Sequence, residues 1–196
     1  VKDYSKNRND LNTYYEVGKL LIEAQGGEDR AKYGDGLIKE YSERLYNELG
    51  KKYDITTLKR YRQFYLKIEK GAALRHQLSW THYRELLTLD NINELNYYVE
   101  ITIEQNLSYR QLREKIKTKE YQRLDNNTKL KLINKEKLDI KDNIKNPIVI
   151  HNKNNLDKEN ISEKVLQRLI LEDIPSFLKE LGTGFSFIEN EYKIKI

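Results

Sequence analysis

Apolar residues return along this chain at the spacing of helices. From Asp10 to Gln25, Leu11, Tyr14, Tyr15, Gly18, Leu21 and Ile22 recur every three or four positions, which places them on one helical face. Gly26 and Gly27 stop that helix, because glycine takes the left-handed C-terminal conformation at little cost. A second helix is expected over 36–49, with Leu37, Ile38, Tyr41, Leu45 and Leu49 inward and Gly50 behind it. A third fills DITTLKRYRQFYLKIEK, residues 54–70, where Asp54 or Thr56 can accept an orphan backbone N–H. Gly71 closes it. Ser79 opens a helix carrying Trp80, Tyr83, Leu86 and Leu87, and NINE, residues 91–94, opens another that runs to about Gln105. Ser108 and Gln111 form a capping box, with Leu107 able to staple onto Leu112, for a helix extending to Leu124.

The pattern then changes. Residues 125–160 are rich in Asn and Lys, and Pro147 pushes Asn146 out of helical geometry. They read as a linker with one weak helix. Val165, Leu166, Leu169, Ile170, Phe177 and Leu181 restore a helical face, interrupted or kinked at Pro175. After GTG, the alternation in FSFIENEYKIKI reads as a β-hairpin turning at Glu189 and Asn190. The expected fold is therefore mainly α. A helical bundle spans residues 1–124, a linker 125–160, and the helix and hairpin of an incomplete α/β domain 161–196.

Composition narrows the function. The chain has 196 residues, with only 2 Pro and 9 Gly, which favours long helices. It has no Cys, which rules out disulfides, thiolate metal sites and a cysteine nucleophile, and which suits a reducing cytoplasm. No apolar run reaches the roughly 18–20 residues of a membrane span, and no signal peptide is legible. A start at Val1 and the absence of any Met suggest a piece excised from a longer protein. His76, His82 and His151 lack metal-ligand spacing, and no Ser-His-acid set or carboxylate pair stands out. Most of the 15 Tyr fall on inward faces.

Charge is the sharper signal. Residues 51–70 hold seven Lys or Arg against Asp54 and Glu69, a local +5 that equals the net charge of the whole chain. On a helical projection, Leu58, Tyr61, Phe64, Tyr65 and Ile68 share one arc, and Lys59, Arg60, Gln63, Lys67 and Lys70 lie opposite. Arg62 borders the two. Such a face is either a solvated helix surface or a phosphate contact, and the preceding helix and turn give it the plan of a helix-turn-helix. The residues expected to contact DNA are Lys59, Arg60, Arg62, Gln63 and Lys67, supported by Lys51, Lys52 and Thr57. Duplex DNA is the expected partner, because a helix fits its major groove. The alternative is a docking or dimerisation module, with a homodimer as its simplest form. Neither needs a small-molecule cofactor or a membrane.

The segments NTYYEVGKLLIEA, LKRYRQFY, QLSWTHYRELL and LSYRQLREKI, within residues 12–124, resemble the N-terminal domain of the bacterial YhcG-like family. FLKELGTGFSFIENEYKIKI resembles the start of that family's second domain, a nuclease-like fold of the PD-(D/E)XK superfamily. The resemblance implies a DNA-contacting helical module joined to a Mg2+-dependent endonuclease. In that fold the metal-holding acids come as Asp followed by Glu-x-Lys on later strands, and no such pair follows here. The chain by itself is therefore expected to hold no cofactor and to be catalytically inert. Glu180 matches a first-helix position where a Glu sometimes assists metal binding, and Pro175 departs from the family's uninterrupted helix.

Overall fold

Capping residues set the helix boundaries of the computed structural model, which describes residues 3–27, 35–49, 53–148 and 162–181. Among these residues every regular element is helical, so the chain is mainly α. The β-hairpin expected after residue 184 lies outside the described residues. The chain divides into two compact units, Val1–Ile116 and Lys117–Ile196.

The first unit contains α1 (Ser5–Ala24), α2 (Asp35–Leu49), α3 (Ile55–Glu69), α4 (Trp80–Leu86), α5 (Ile92–Glu104) and α6 (Tyr109–Lys117). Asp3 accepts from the Ser5 amide at 2.8 Å at the head of α1, six residues before its first buried side chain, Leu11. Asp54 accepts from the Thr57 amide at 2.7 Å and fixes the start of α3. Asn91 caps α5 through the amides of Asn93 and Glu94. Ser108 and Gln111 form the expected box, with the Ser108 amide donating to Gln111 Oε1 at 2.9 Å. The helix expected to run on to Leu124 instead ends at Lys117, and Lys119 turns the chain with φ +53°.

The core is aromatic. Tyr14 stacks on Tyr61 with centroids 4.4 Å apart and planes 8° off parallel. Trp80 packs against Tyr14, Tyr61 and Phe64 at 4.9–5.4 Å, and Phe64 meets Tyr83 edge-on. Rings in such offset and T-shaped pairs add about 0.5–1.5 kcal/mol each beyond the area they bury. α1 and α3 come together at Gly18, where the Tyr61 carbonyl occupies the space a Cβ would need. That close approach is what allows the Tyr14–Tyr61 stack to form face on.

The second unit contains α7 (Asn126–Asn134), a 3-10 turn (Ile140–Asn143), α8 (Glu163–Glu172) and α9 (Ile174–Leu181). Part of the expected linker is thus ordered. Asp125 caps α7 through the Asn127 amide, and Lys131 binds Asp142 of the 3-10 turn at 2.9 Å. The interruption expected near Pro175 falls at Asp173, whose carboxylate accepts from the Ser176 amide and starts α9. Pro175 then sits in the first turn of α9, where its missing N–H costs nothing.

Candidate nucleic-acid interface

Apolar spacing alone places α3 with one side in the core and the other in solvent. The structure surrounds it more fully. Leu58, Tyr61 and Phe64 are buried as expected. Lys67, expected outside, is also buried at 9% exposure. Its ammonium donates to the Leu89 carbonyl and lies 3.9 Å from Asp90. Burial pushes its pKa down, and Asp90 partly opposes that shift. The neighbouring Gln63 is exposed, but its amide donates to the Leu87 carbonyl at 2.8 Å. The segment after α4 therefore lies against the α3 surface that the projection assigned to solvent. Lys67 is corrected from the cationic face to a structural residue.

What stays outward on α3 is a narrower cationic edge. Lys59, Arg60 and Arg62 are each half-buried, so their stems lie along the protein. Arg62 reaches the Gln25 side chain at 3.4 Å, and Lys70 is exposed just past the helix end. Thr57 is half-buried beside the N-cap, with its amide committed to Asp54. Lys51 and Lys52 lie outside the described residues. Across the helix, Tyr15 donates to Glu69 at 2.6 Å, and that bond raises the phenol to about 12.

A second basic surface was not singled out by the sequence. Arg110, Arg113, Glu114 and Lys117 of α6 are all exposed, at positions that share one helical face. Arg113 makes a two-point pair with Glu85 of α4, Nε to Oε2 at 3.0 Å and Nη2 to Oε1 at 2.6 Å. That pair holds the Glu85 carboxyl below its usual range, and Arg84 lowers it further. The Arg110 and Arg113 guanidiniums lie 5.7 and 5.8 Å from the Tyr109 ring centre. The signal in the sequence was LSYRQLREKIK, three basic positions (Arg110, Arg113 and Lys117) at helical spacing behind a capping box. A window centred on 51–70 draws attention away from it.

His82 secures α4. Nδ1 of His82 accepts from the Ser79 amide at 3.2 Å, and Nε2 donates to the Leu107 carbonyl at 3.1 Å. Burial lowers the His82 pKa, which favours the neutral ring those two bonds require.

Glu180 belongs to the second unit. Its buried carboxylate pairs with Arg123, which also donates to the Thr118 and Pro147 carbonyls. Lys145 donates to the Glu180 carbonyl at 2.8 Å and lies 3.5 Å from Glu120. All four side chains are at most 9% exposed. A carboxylate already neutralised by a buried guanidinium does not fit a Mg2+ ligand, and among the described residues no three His, Asp or Glu side chains gather to hold a metal ion.

Comparison with known proteins places the first unit. The family described as "DUF1016 N-terminal domain" matches residues 4–123. Over 94% of its length the chain is 25% identical to the Escherichia coli (strain K12) protein named "Putative nuclease YhcG". The match covers 59% of that protein, so the chain spans well under two thirds of its relative. No solved structure matches the chain. Among the described residues no helix is long and apolar enough to cross a membrane.

Proposed function

The chain belongs to the DUF1016 N-terminal domain family and is YhcG-like, and from that premise we propose that its N-terminal unit binds nucleic acid, with duplex DNA as the partner. The observation that carries this reading is the cationic edge of α3. Lys59, Arg60 and Arg62 are mounted on a helix whose opposite arc is fixed in an aromatic core. Cations held on a rigid element reach phosphates without ordering a flexible segment first. The name of the E. coli relative supports the same direction. In this reading the unit delivers a PD-(D/E)XK-type nuclease domain to DNA in the cytoplasm. Mg2+ belongs to that domain and not to the helices of this unit.

The test is fluorescence anisotropy with a random-sequence duplex over a range of salt. If about four phosphates are neutralised, log K falls against log salt with a slope near −3.6. Lys59→Ala with Arg60→Ala lowers the slope by about two. Lys67→Met leaves the slope unchanged, because that ammonium is committed to Leu89 and Asp90. A flat salt response overturns the reading. The docking or dimerisation alternative has Leu20, Tyr46 and Ile55 exposed in its favour. Light scattering at several concentrations, with a stable dimer and no duplex binding, would select it.

A further inference from the structure

We infer that the helix entering the major groove is α6, the second helix of an α5–turn–α6 helix-turn-helix, and that α3 serves the phosphate backbone beside it. This rests on the nucleic-acid reading above and assigns the base-contacting element within it.

The joint between α5 and α6 has the form such a motif needs. Residues 105–108 connect the helices, a turn of the usual three- or four-residue class. Asn106 takes φ +47°, and the Leu107 amide donates back to the Thr102 carbonyl at 2.9 Å. This is the left-handed C-terminal stop in which Asn can replace Gly. The Ser108–Gln111 box starts α6 at once. α3 packs mainly on α1 and also on α2.

α6 is held from behind and open in front. Leu112 is fully buried, and the Tyr98 hydroxyl donates to the Lys115 carbonyl at 3.1 Å. α4 backs the turn through His82 and the helix through Glu85. Arg110, Arg113 and Lys117, with Glu114, form an exposed stripe on its outer side. A helix lying in the major groove needs one uninterrupted stripe, with its N-terminal residues towards the base edges. α6 keeps such a stripe exposed, with Arg113 also paired to Glu85 of α4. α3 does not, because the segment after α4 engages Gln63 and Lys67.

The side chains on α6 are also prearranged. Glu85 uses two of the five guanidinium donors of Arg113 and fixes its plane. Tyr109 lies under both guanidiniums. A planar fork held in place is suited to O6 and N7 of guanine, a pairing worth about 1–3 kcal/mol of discrimination.

The test separates base contacts from phosphate contacts. The 196-residue chain is mixed with a pool of random duplexes, and the bound fraction is sequenced. The wild-type chain is expected to enrich a guanine-containing motif. Arg113→Lys, which keeps the charge but loses the planar fork, and Arg110→Ala are expected to abolish that enrichment while salt-dependent binding persists. Lys59→Ala with Arg60→Ala is expected to weaken binding about tenfold and keep the motif. Binding with no motif, or a motif that survives both the Arg113 and the Arg110 variant, overturns the assignment of α6 and leaves the nucleic-acid reading intact. Absence of any duplex binding overturns both.

Discussion

Replacing Gly18 by Ala isolates the contact that sets α1 against α3. On propensity alone the change should help, because Ala is favoured over Gly inside a helix by about 1 kcal/mol. The geometry opposes it. The new Cβ would overlap the Tyr61 carbonyl oxygen and lie 2.8 Å from both the Tyr61 carbonyl carbon and Tyr65 Cβ. Two of these atoms are backbone of α3, so no rotamer change relieves the clash, and the helices must move apart. Overpacking of this kind costs about 1–3 kcal/mol, and a backbone obstacle puts it at the upper end. After the propensity gain, a net loss of about 2 kcal/mol remains. For a chain of this size that lowers Tm by about 4–8 °C. Thermal unfolding followed by circular dichroism measures it, with a urea titration as a check on unchanged m. A Gly18→Ala variant as stable as the wild type, or more so, would refute the close approach of α1 and α3 and the stacking geometry that depends on it.

A titrating ring and a buried charge give two further outcomes. The neutral form of His82 is favoured in the fold, since its pKa is lowered by burial. The unfolded chain therefore binds the proton more readily. The stability this residue contributes is complete above its unfolded value of about 6.5 and is lost as pH falls below it. His82→Gln preserves a Ser-x-x-Gln capping box and should flatten that dependence; an unchanged slope between about pH 5 and 7 would count against the assignment. In the second unit, Arg123→Ala strands the Glu180 carboxylate in a buried site and should cost about 3–5 kcal/mol. Arg123→Met with Glu180→Leu should recover most of it, which denaturant titrations of the two variants will show.

Much of the helical order was legible because its signals are local. Asp54, Ser79, Asn91 and Ser108 cap the helices they were expected to cap, since a side-chain oxygen reaches an amide two or three residues away. The face of α3 was legible only against one partner. A helical projection assumes that whatever is not core is solvent, and the segment reaching Lys67 comes from about twenty positions later. The early end of α6 escaped for another reason. Lys119 takes a left-handed conformation that its residue type does not advertise. One weak helix was legible in residues 125–160, where α7 forms, but the 3-10 turn packed on it was not, because charge pairs such as Lys131 with Asp142 hold it and leave no apolar period.

The ion network around Arg123 bears on how such chains can be recombined. Glu120 and Arg123 complete their pairings with Lys145, Pro147 and Glu180, and the Asn146 amide donates to the Arg123 carbonyl at 2.8 Å. Residues 118–124 are therefore inherited with the C-terminal unit, although the sequence pattern groups them with the N-terminal helices. A chimera joined at Leu124 would bring together halves of two buried ion pairs that did not arise together. A joint between Ile116 and Lys117 would exchange the N-terminal unit and leave both pairs in one parent.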